Sequence, residues 1–171
     1  MDGLEDAYSA ETRGRLMGTF AEECASQFSF TREEQDQFAV RSTSRAKQAS
    51  SDGSFDWELA PVRIEGRKGK ELVERDEGPF AVNLEKIPTL KPAFKKEGTV
   101  TAANSSSISD GAAAMVLMRA STAAEMGVKP VARIVGHSTH AGIPAQFTTA
   151  PVGAIQKLLA KTGWSKDSVD L

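Results

Sequence analysis

The residues best suited to chemistry in this chain are few: a single cysteine, Cys24, and two histidines, His137 and His140. A reactive thiol needs a cationic neighbour or a helix N-terminus to ionise, whereas Cys24 directly follows Glu22 and Glu23. The histidines are three residues apart in a segment that begins as a predicted strand, so their side chains are expected on opposite faces. The sequence therefore predicts no metal site, no catalytic residue and a structural role for Cys24.

A run of small polar residues is the other feature that could meet a ligand. The stretch "EGTVTAANSSSISDGAAAMVL", residues 97–117, places Ser105, Ser106 and Ser107 between two segments with the composition of buried elements. A flexible linker would not be flanked so closely by buried elements, so we expect an ordered bend. Small side chains let a ligand approach the main chain and the hydroxyl groups. This stretch therefore predicts a binding loop without identifying its ligand.

Charge and hydropathy exclude several classes of protein. The chain has 21 basic and 23 acidic residues, and so lacks the positive excess that nucleic-acid binding requires. Its hydrophobic content is 40%, no apolar run approaches the length of a membrane span, and the opening "MDGLEDAYSAE" is acidic where an export signal is basic. We expect a soluble, cytoplasmic protein that binds neither nucleic acid nor a membrane.

Helical periodicity dominates the first fifty residues. Apolar side chains recur at spacings of three and four from Leu16 to Phe28, which predicts a helix with one buried stripe. Thr31 and Glu34 have the spacing of a capping box, and the residues that follow predict a partly buried helix of about five turns. The alternating "VRIEGRKGKELVE" predicts a β-hairpin.

The remaining chain predicts shorter elements. Prolines interrupt residues 76–96, yet the apolar side chains there indicate a packed, extended segment. Strands are predicted at "TVTA", at "DGAAAMVLM" and at residues 132–135. Helices are predicted from a Ser121 cap to Gly127, and from about residue 152 to 161 with Gly163 closing the last turn.

The segment from Leu90 to Met118, "LKPAFKKEGTVTAANSSSISDGAAAMVLM", closely resembles a motif of the thiolases, which include acetyl-CoA acetyltransferases and 3-ketoacyl-CoA thiolases. The family pattern is L-[RK]-P-x-F-x-x-x-G-T-V-T-A-G-N-[AS]-S-G-x-N-D-G-A-A-A. Other stretches follow in family order: "DGLEDAY", "MGTFAEECA", "TREEQDQFAVRSTSRA", "GRKG", "DEGP", "PVARIVG" and "KTGWSKDSVDL". The resemblance therefore covers the whole chain.

This resemblance implies an α/β fold and a coenzyme A acyltransferase. The expected fold is a fragment of the thiolase fold: a helical loop domain with a β-hairpin, followed by strands and helices of the two thiolase halves. A cysteine thiolate of the family takes an acyl group from one thioester and passes it to another thiol or carbanion. The family's nucleophile segment and its N-E-A-F-A, G-H-P and C-x-G-G-G motifs are not found in these residues. We therefore expect a middle fragment that cannot catalyse thiolysis alone.

The resemblance also implies which residues contact coenzyme A or acyl-CoA, the expected substrates, with no permanently bound cofactor. Six positions match family residues that line the coenzyme A site: Ser106, Ala102, Ser105, Ile108, Phe94 and Leu4. Three others match positions near the acyl group: Leu16, Met17 and Phe147. For Phe94, plain core packing is an equally good interpretation.

Several residues depart from the family pattern. Leu16 stands where short-chain biosynthetic enzymes have histidine, and Phe147 stands where methionine is common, which suggests a different acyl preference. Ala103 and Ser107 replace glycines of the family, and Ser109 replaces an asparagine. Since alanine and serine resist positive φ, the loop geometry is expected to differ from that of the family.

The implied organisation has three parts: residues 1–95 as the loop domain, 96–122 as the end of the N-terminal half, and 123–171 as the start of the C-terminal half. A homo-oligomer, dimer or tetramer, is expected for the full-length protein. Two alternatives stay open: a non-catalytic thiolase-like module that binds acyl-CoA or lipid, and a scaffold whose helices and hairpin only assemble oligomers.

Overall fold

The computed structural model describes residues 14–66 and 69–170, which fall into two compact units. The first unit contains Gly14–Ser107, and the second contains residues 108–170. The domain boundaries at 95/96 and 122/123 stay predictions, since they concern the larger fold implied by the resemblance.

Two helices dominate the first unit: α1, Met17–Gln27, and α2, Arg32–Ser51. Ser29 lies between them in the left-handed region with φ 56°, and the N–H of Phe30 donates to the carbonyl of Ala25 at 2.9 Å. This is a Schellman arrangement, which ends α1 and turns the chain directly into α2. Both helices are confirmed where the hydrophobic spacing predicted them.

The predicted capping box begins α2. The backbone N–H of Glu34 donates to the Thr31 hydroxyl, and the Thr31 N–H donates to the Glu34 carboxylate at 2.8 Å. The hydrogen bond from the Thr31 backbone is the larger cause that holds the pKa of Glu34 below its ordinary value, and the bond from the Thr31 hydroxyl adds to it. The capping signal in the sequence is confirmed.

After α2 the chain forms the predicted antiparallel hairpin, β1 Val62–Gly66 with β2 Gly69–Val73, in which Val62 pairs with Val73. A short helix α3, Gly78–Ala81, and a 3₁₀ helix, Leu84–Thr89, follow. As expected from the prolines, no long helix forms there. Ile87 is nonetheless only 1% exposed, so the segment is packed.

The core of the first unit lies where α1 and α2 meet the residues around position 100. Phe20, Ile87 and Thr101 are its largest fully buried side chains, and Val100 is also buried. Thr101 is a polar residue at the centre of this core, so its backbone and hydroxyl must be satisfied locally. That requirement shapes the bend described below.

The second unit contains α4, Ala120–Glu125, a 3₁₀ helix, Pro144–Thr149, then α5, Ala150–Thr162, and a 3₁₀ turn, Lys166–Ser168. Gly127 and Gly163 are both left-handed and follow the ends of α4 and α5, as predicted. Ser121 does not cap α4, because the N-cap is Arg119 and Ser121 is already inside the helix.

The chain before α5 runs alongside that helix. The Ser138 hydroxyl donates to the carbonyl of Ala154 at 2.6 Å, and Lys157 Nζ donates to the carbonyl of Thr139 at 3.2 Å. The His140 ring lies so close to Gly153 that a β-carbon there would overlap it. His137 contributes its carbonyl, which accepts from Lys161 Nζ at 3.2 Å.

The strands predicted at "TVTA", at 111–118 and at 132–135 are not formed; among the described residues the strands are β1 and β2 alone. A strand exists only through hydrogen bonds to a neighbouring strand, and β1 and β2 pair with each other. Local β-propensity therefore predicted strands in these segments, but among the described residues no neighbouring strand pairs with them.

Candidate functional site

Residues 98–107, here called the serine bend, form an ordered turn around Thr101. The Thr101 N–H donates to Asn104 Oδ1 at 2.7 Å, and the N–H groups of Ala103 and Asn104 donate to the Thr101 hydroxyl at 3.3 and 3.4 Å. The Ser105 hydroxyl donates back to the Thr101 carbonyl at 2.7 Å. The prediction of an ordered bend, rather than a linker, is confirmed.

A buried carboxylate on α1 holds the start of the bend. Glu22, 8% exposed, accepts from the N–H of Thr99 at 3.0 Å and from the N–H of Val100 at 2.9 Å. Gly98 allows this close approach, because a β-carbon at that position would overlap the Glu22 carboxylate. Backbone donors to a charged acceptor are strong hydrogen bonds, so this contact fixes the bend against α1.

A second buried carboxylate, Asp36 on α2, contacts the other side of the bend. Asp36 is 5% exposed, and its Oδ1 accepts from Asn104 Nδ2 at 3.3 Å. The same amide nitrogen donates to the carbonyl of Thr99 at 3.0 Å. The residue directly before Asp36, Gln35, donates from its Nε2 to the Thr99 hydroxyl at 3.0 Å.

Asp36 also reaches the segment before the bend, through Arg32. Asp36 Oδ2 accepts from Arg32 Nε at 2.7 Å. The terminal nitrogen Nη2 of Arg32 then donates to the carbonyls of Ile87 and Leu90 at 3.2 and 2.8 Å. Residues 84–94, here called the proline segment, are thereby tied to α2.

Phe94, at the end of the proline segment, is half-buried against α1. Its ring lies on Gly18, where a β-carbon would overlap the ring. Phe94 and Lys95 also line an open groove of about 510 Å³, whose other wall consists of Arg15 and of α1 from Thr19 to Gln27. Phe94 is therefore both a packing residue and a wall of a groove.

The predicted coenzyme A residues differ in exposure. Ala102 and Ser106 are exposed on the serine bend, whereas Ser105 is half-buried and donates to Thr101. Ile108 belongs to the second unit and is 81% exposed. Leu4 lies outside the described residues.

The residues predicted near the acyl group are placed in both units. Leu16 is the N-cap of α1 and 39% exposed, and Met17 is the first residue of that helix and half-buried. Phe147 belongs to the 3₁₀ helix of the second unit and is 40% exposed. Their proximity to an acyl group stays a prediction.

Three residues that hold the bend were not predicted from the sequence: Glu22, Asp36 and Asn104. One signal could have indicated Glu22: it lies between Gly18 and Ala25 at helical spacing, and small residues on one stripe indicate a closely packed face. A carboxylate on such a face must find donors. The local pattern places Arg32 at i,i+4 spacing before Asp36, but the partner of Asp36 in the bend, Asn104, lies 68 residues away.

The cysteine and the histidines form no cluster. Cys24 is a free thiol, partly buried on α1. Across the described ranges, no three histidine, cysteine, aspartate or glutamate residues are grouped to hold a metal ion. In those same ranges, no helix combines the length and the apolar composition needed to cross a membrane.

Comparison with known families and curated proteins gives consistent matches. Residues 1–121 match the family model described as the thiolase N-terminal domain. A probable acetyl-CoA acetyltransferase of Dictyostelium discoideum is 47% identical over 171 residues, and the match covers 99% of this chain and 40% of that protein. An acetyl-CoA acetyltransferase of Paracoccus denitrificans is 43% identical, with 99% of this chain and 43% of that protein covered.

Solved structures agree with these matches. The acetyl-CoA acetyltransferase of Bacillus anthracis superposes with a TM-score of 0.90 at 41% identity, over 98% of this chain and 42% of that one. A thiolase of Ascaris suum in complex with coenzyme A has a TM-score of 0.86 at 37% identity, over 99% of this chain and 42% of that one. The predicted α/β fold is confirmed, and the chain spans about two fifths of the length of these relatives.

Proposed function

The chain belongs to the thiolase family, as its motifs predicted, and on that premise we propose that it is the coenzyme A-binding part of an acyl-CoA C-acyltransferase. The proposed reaction of the whole protein is the reversible thiolysis of a 3-ketoacyl-CoA, or the condensation of two acyl-CoA molecules, through a cysteine acyl-enzyme. Support comes from the relatives, which are named acetyl-CoA acetyltransferases, and from a solved neighbour that binds coenzyme A.

The observation that carries the proposal is the serine bend itself. The buried Glu22 accepts from its backbone and the buried Asp36 accepts from its Asn104 side chain, while Ala102 and Ser106 remain exposed on it. A long, thin ligand with amide groups needs apolar walls and a few fixed polar partners. We propose that Ser106 and the neighbouring backbone are such partners for the pantetheine arm, and that Phe94 supplies an apolar wall.

The reactive thiol of the proposed acyl-enzyme is not Cys24. Cys24 lies in the second half of α1, away from the helix N-terminus that would favour a thiolate, and follows the buried Glu22. Because Cys24 is the single cysteine of these 171 residues, we propose that they do not catalyse thiolysis by themselves.

The test is coenzyme A binding to the 171-residue chain, measured by isothermal titration calorimetry. Ser106→Ala is expected to weaken binding about fivefold, the effect of losing one hydrogen bond. Ser44→Ala, an exposed serine on α2, is the matched control and is expected to change nothing. Equal affinities of Ser106→Ala and the unchanged chain would remove Ser106 from the site, and absence of binding would overturn the proposal.

A parallel assay follows acetyl-CoA formation from acetoacetyl-CoA and coenzyme A by the same chain. We expect no turnover. Turnover that disappears in Cys24→Ser would show that Cys24 is the nucleophile after all. The roles of Leu16, Met17 and Phe147 in acyl preference and the homo-oligomer are part of the same proposal and rest on family membership. The cytoplasmic location stays a prediction from composition.

A further inference from the structure

One side chain, Asp36, contacts the serine bend directly and the proline segment through Arg32. These two segments carry Phe94 and the serines proposed to bind coenzyme A. We propose that Asp36 is a positioning residue, which fixes the spacing between the proline segment and the serine bend and thereby sets the affinity for coenzyme A. This inference rests on the proposed function, because it concerns the same ligand. Asp36 itself is 5% exposed and is not proposed to touch the ligand.

The two carboxylate oxygens of Asp36 serve different segments. Oδ2 accepts from Arg32 Nε at 2.7 Å, and Arg32 donates onward to the carbonyl of Leu90 at 2.8 Å. Leu90 lies four residues before Phe94, in the same packed segment. This oxygen therefore acts on the wall that Phe94 forms.

Oδ1 serves the bend. It accepts from Asn104 Nδ2 at 3.3 Å, which fixes the orientation of that amide. Once the amide is oriented, its oxygen accepts from the Thr101 N–H at 2.7 Å. Asn104 lies directly before Ser105 and Ser106, so the orientation of its side chain affects the positions of these two serines.

The two segments are also joined directly, because the N–H of Ala93 donates to the carbonyl of Val100 at 2.9 Å. That bond lies at the start of the bend, which Glu22 also holds. The contact from Asp36 to Asn104 lies further along the bend and ties that part to α2. Asp36 therefore adds a second link between the two segments, at a different point of the bend.

A buried charge stabilises a core poorly, because its desolvation opposes the gain from its contacts. Arg32 and Asp36 have side chains only 25% and 8% exposed, and a buried ion pair commonly stabilises a protein no better than apolar residues of the same size. Directional hydrogen bonds are what the carboxylate supplies and an apolar side chain does not. Losing them is therefore expected to misplace the bend in addition to lowering stability, since the Arg32 charge would be left without its carboxylate.

The first test is Asp36→Asn in the 171-residue chain. A neutral amide has one acceptor oxygen, so it can serve Arg32 or Asn104 but not both. We expect the dissociation constant for coenzyme A, measured by calorimetry, to rise about tenfold. Glu33→Gln, an exposed carboxylate on the same helix, is the charge-matched control and should bind as the unchanged chain does.

A stability-matched control separates positioning from folding. Ala39→Gly, at a buried position one turn further along α2, weakens the helix without removing any hydrogen bond of the bend. We expect this variant to melt at a lower temperature yet to keep its affinity for coenzyme A. An equal loss of affinity in Ala39→Gly and Asp36→Asn would overturn the positioning role.

Exchanging the two side chains provides a rescue. Asn104→Asp alone places two carboxylates together and should bind coenzyme A at least tenfold more weakly. The double variant Asp36→Asn with Asn104→Asp restores a donor facing an acceptor, while residue 104 can still accept from the Thr101 N–H. Both variants at residue 104 also lose the donor to the Thr99 carbonyl. We therefore expect the double variant to bind more tightly than Asn104→Asp alone, and failure of this rescue would contradict the proposal.

Amide hydrogen exchange distinguishes failure of this inference from failure of the proposed function. We expect the Thr101 amide to exchange about tenfold faster in Asp36→Asn, while the amides of α1 keep their rates. If coenzyme A does not bind the unchanged chain but Thr101 exchange still rises, the positioning role stands and the proposed ligand is wrong. If coenzyme A binds both forms equally, Asp36 is not a positioning residue.

Discussion

The serine bend and the apolar run at residues 111–118 are neighbours in one family motif, yet their structures differ. In the bend, Thr101 is fully buried and its backbone is satisfied by Asn104 and Ser105. In the run, Met115 and Val116 are 77% and 84% exposed, and no regular hydrogen-bonded structure forms.

The difference lies in where each segment finds its hydrogen-bond partners. The bend is held by side chains of α1 and α2, which belong to the same compact unit. A strand needs the backbone of another strand instead, and local β-propensity cannot replace that partner. Side-chain anchoring thus supplies the irregular bend with hydrogen bonds inside its own unit, whereas the strand predicted beside it would need a neighbouring strand.

The strongest test of side-chain anchoring is Glu22→Ala. Removing the carboxylate leaves the N–H groups of Thr99 and Val100 without their acceptor in a buried region. Each buried unsatisfied group costs about 1–3 kcal/mol, so we expect the free energy of unfolding to fall by about 3 kcal/mol. Urea unfolding followed by circular dichroism measures this.

Glu23→Ala is the control for that experiment, since Glu23 is the next residue and its side chain is 58% exposed. Its ion pair with Arg15 is a surface contact, and we expect a loss within about 0.5 kcal/mol. Equal effects of the two substitutions would mean that α1 does not anchor the bend through Glu22.

Gly98→Ala tests the same anchor from the side of the bend. A β-carbon at this position overlaps the Glu22 carboxylate, so either the side chain or the bend must shift. We expect a loss of about 2 kcal/mol in the free energy of unfolding, within the usual range for overpacking a core. Gly78→Ala, where a β-carbon meets nothing within 4 Å, is the control and should cost much less.

The sequence predicted the elements whose hydrogen-bond partners are close along the chain, and it did not predict contacts between distant residues. The capping box of Thr31 and Glu34 spans three residues, so its composition alone identified the start of α2. Gly163 likewise marked the end of α5 correctly. Signals of this range were sufficient for α1, α2, α5 and the hairpin, whereas they placed the N-cap of α4 two residues late.

The anchors of the bend involve separations that local patterns do not reach. Glu22 and Val100 are 78 residues apart, and Asp36 and Asn104 are 68 apart. The family resemblance indicated which residues of the bend matter for a ligand, but it did not indicate what holds them in place. That information came from the burial of two carboxylates.

The turn between α1 and α2 offers a smaller test, because it holds together the two helices that supply the anchors. Ser29 has φ 56°, a conformation that glycine adopts more readily. We expect Ser29→Gly to raise the free energy of unfolding by about 0.5 kcal/mol. Ser26→Gly, inside α1, is the matched control and should lower it by about the same amount.

The last test places the same substitution, valine to threonine, in the two regions compared above. The smallest change in the free energy of unfolding is expected in the apolar run. Val116→Thr, at 84% exposure in the apolar run, should change the free energy of unfolding of this chain by less than about 0.5 kcal/mol. Val100→Thr, at 5% exposure, buries a hydroxyl and should cost about 1–2 kcal/mol.

Denaturation of both valine variants under identical conditions gives the comparison directly, because the volume change is nearly the same. If Val116→Thr costs as much as Val100→Thr, the run is covered in solution and the contrast between the two regions fails. If only Val100→Thr is costly, the order of the serine bend comes from side chains inside its own unit, whatever the state of the run that follows it.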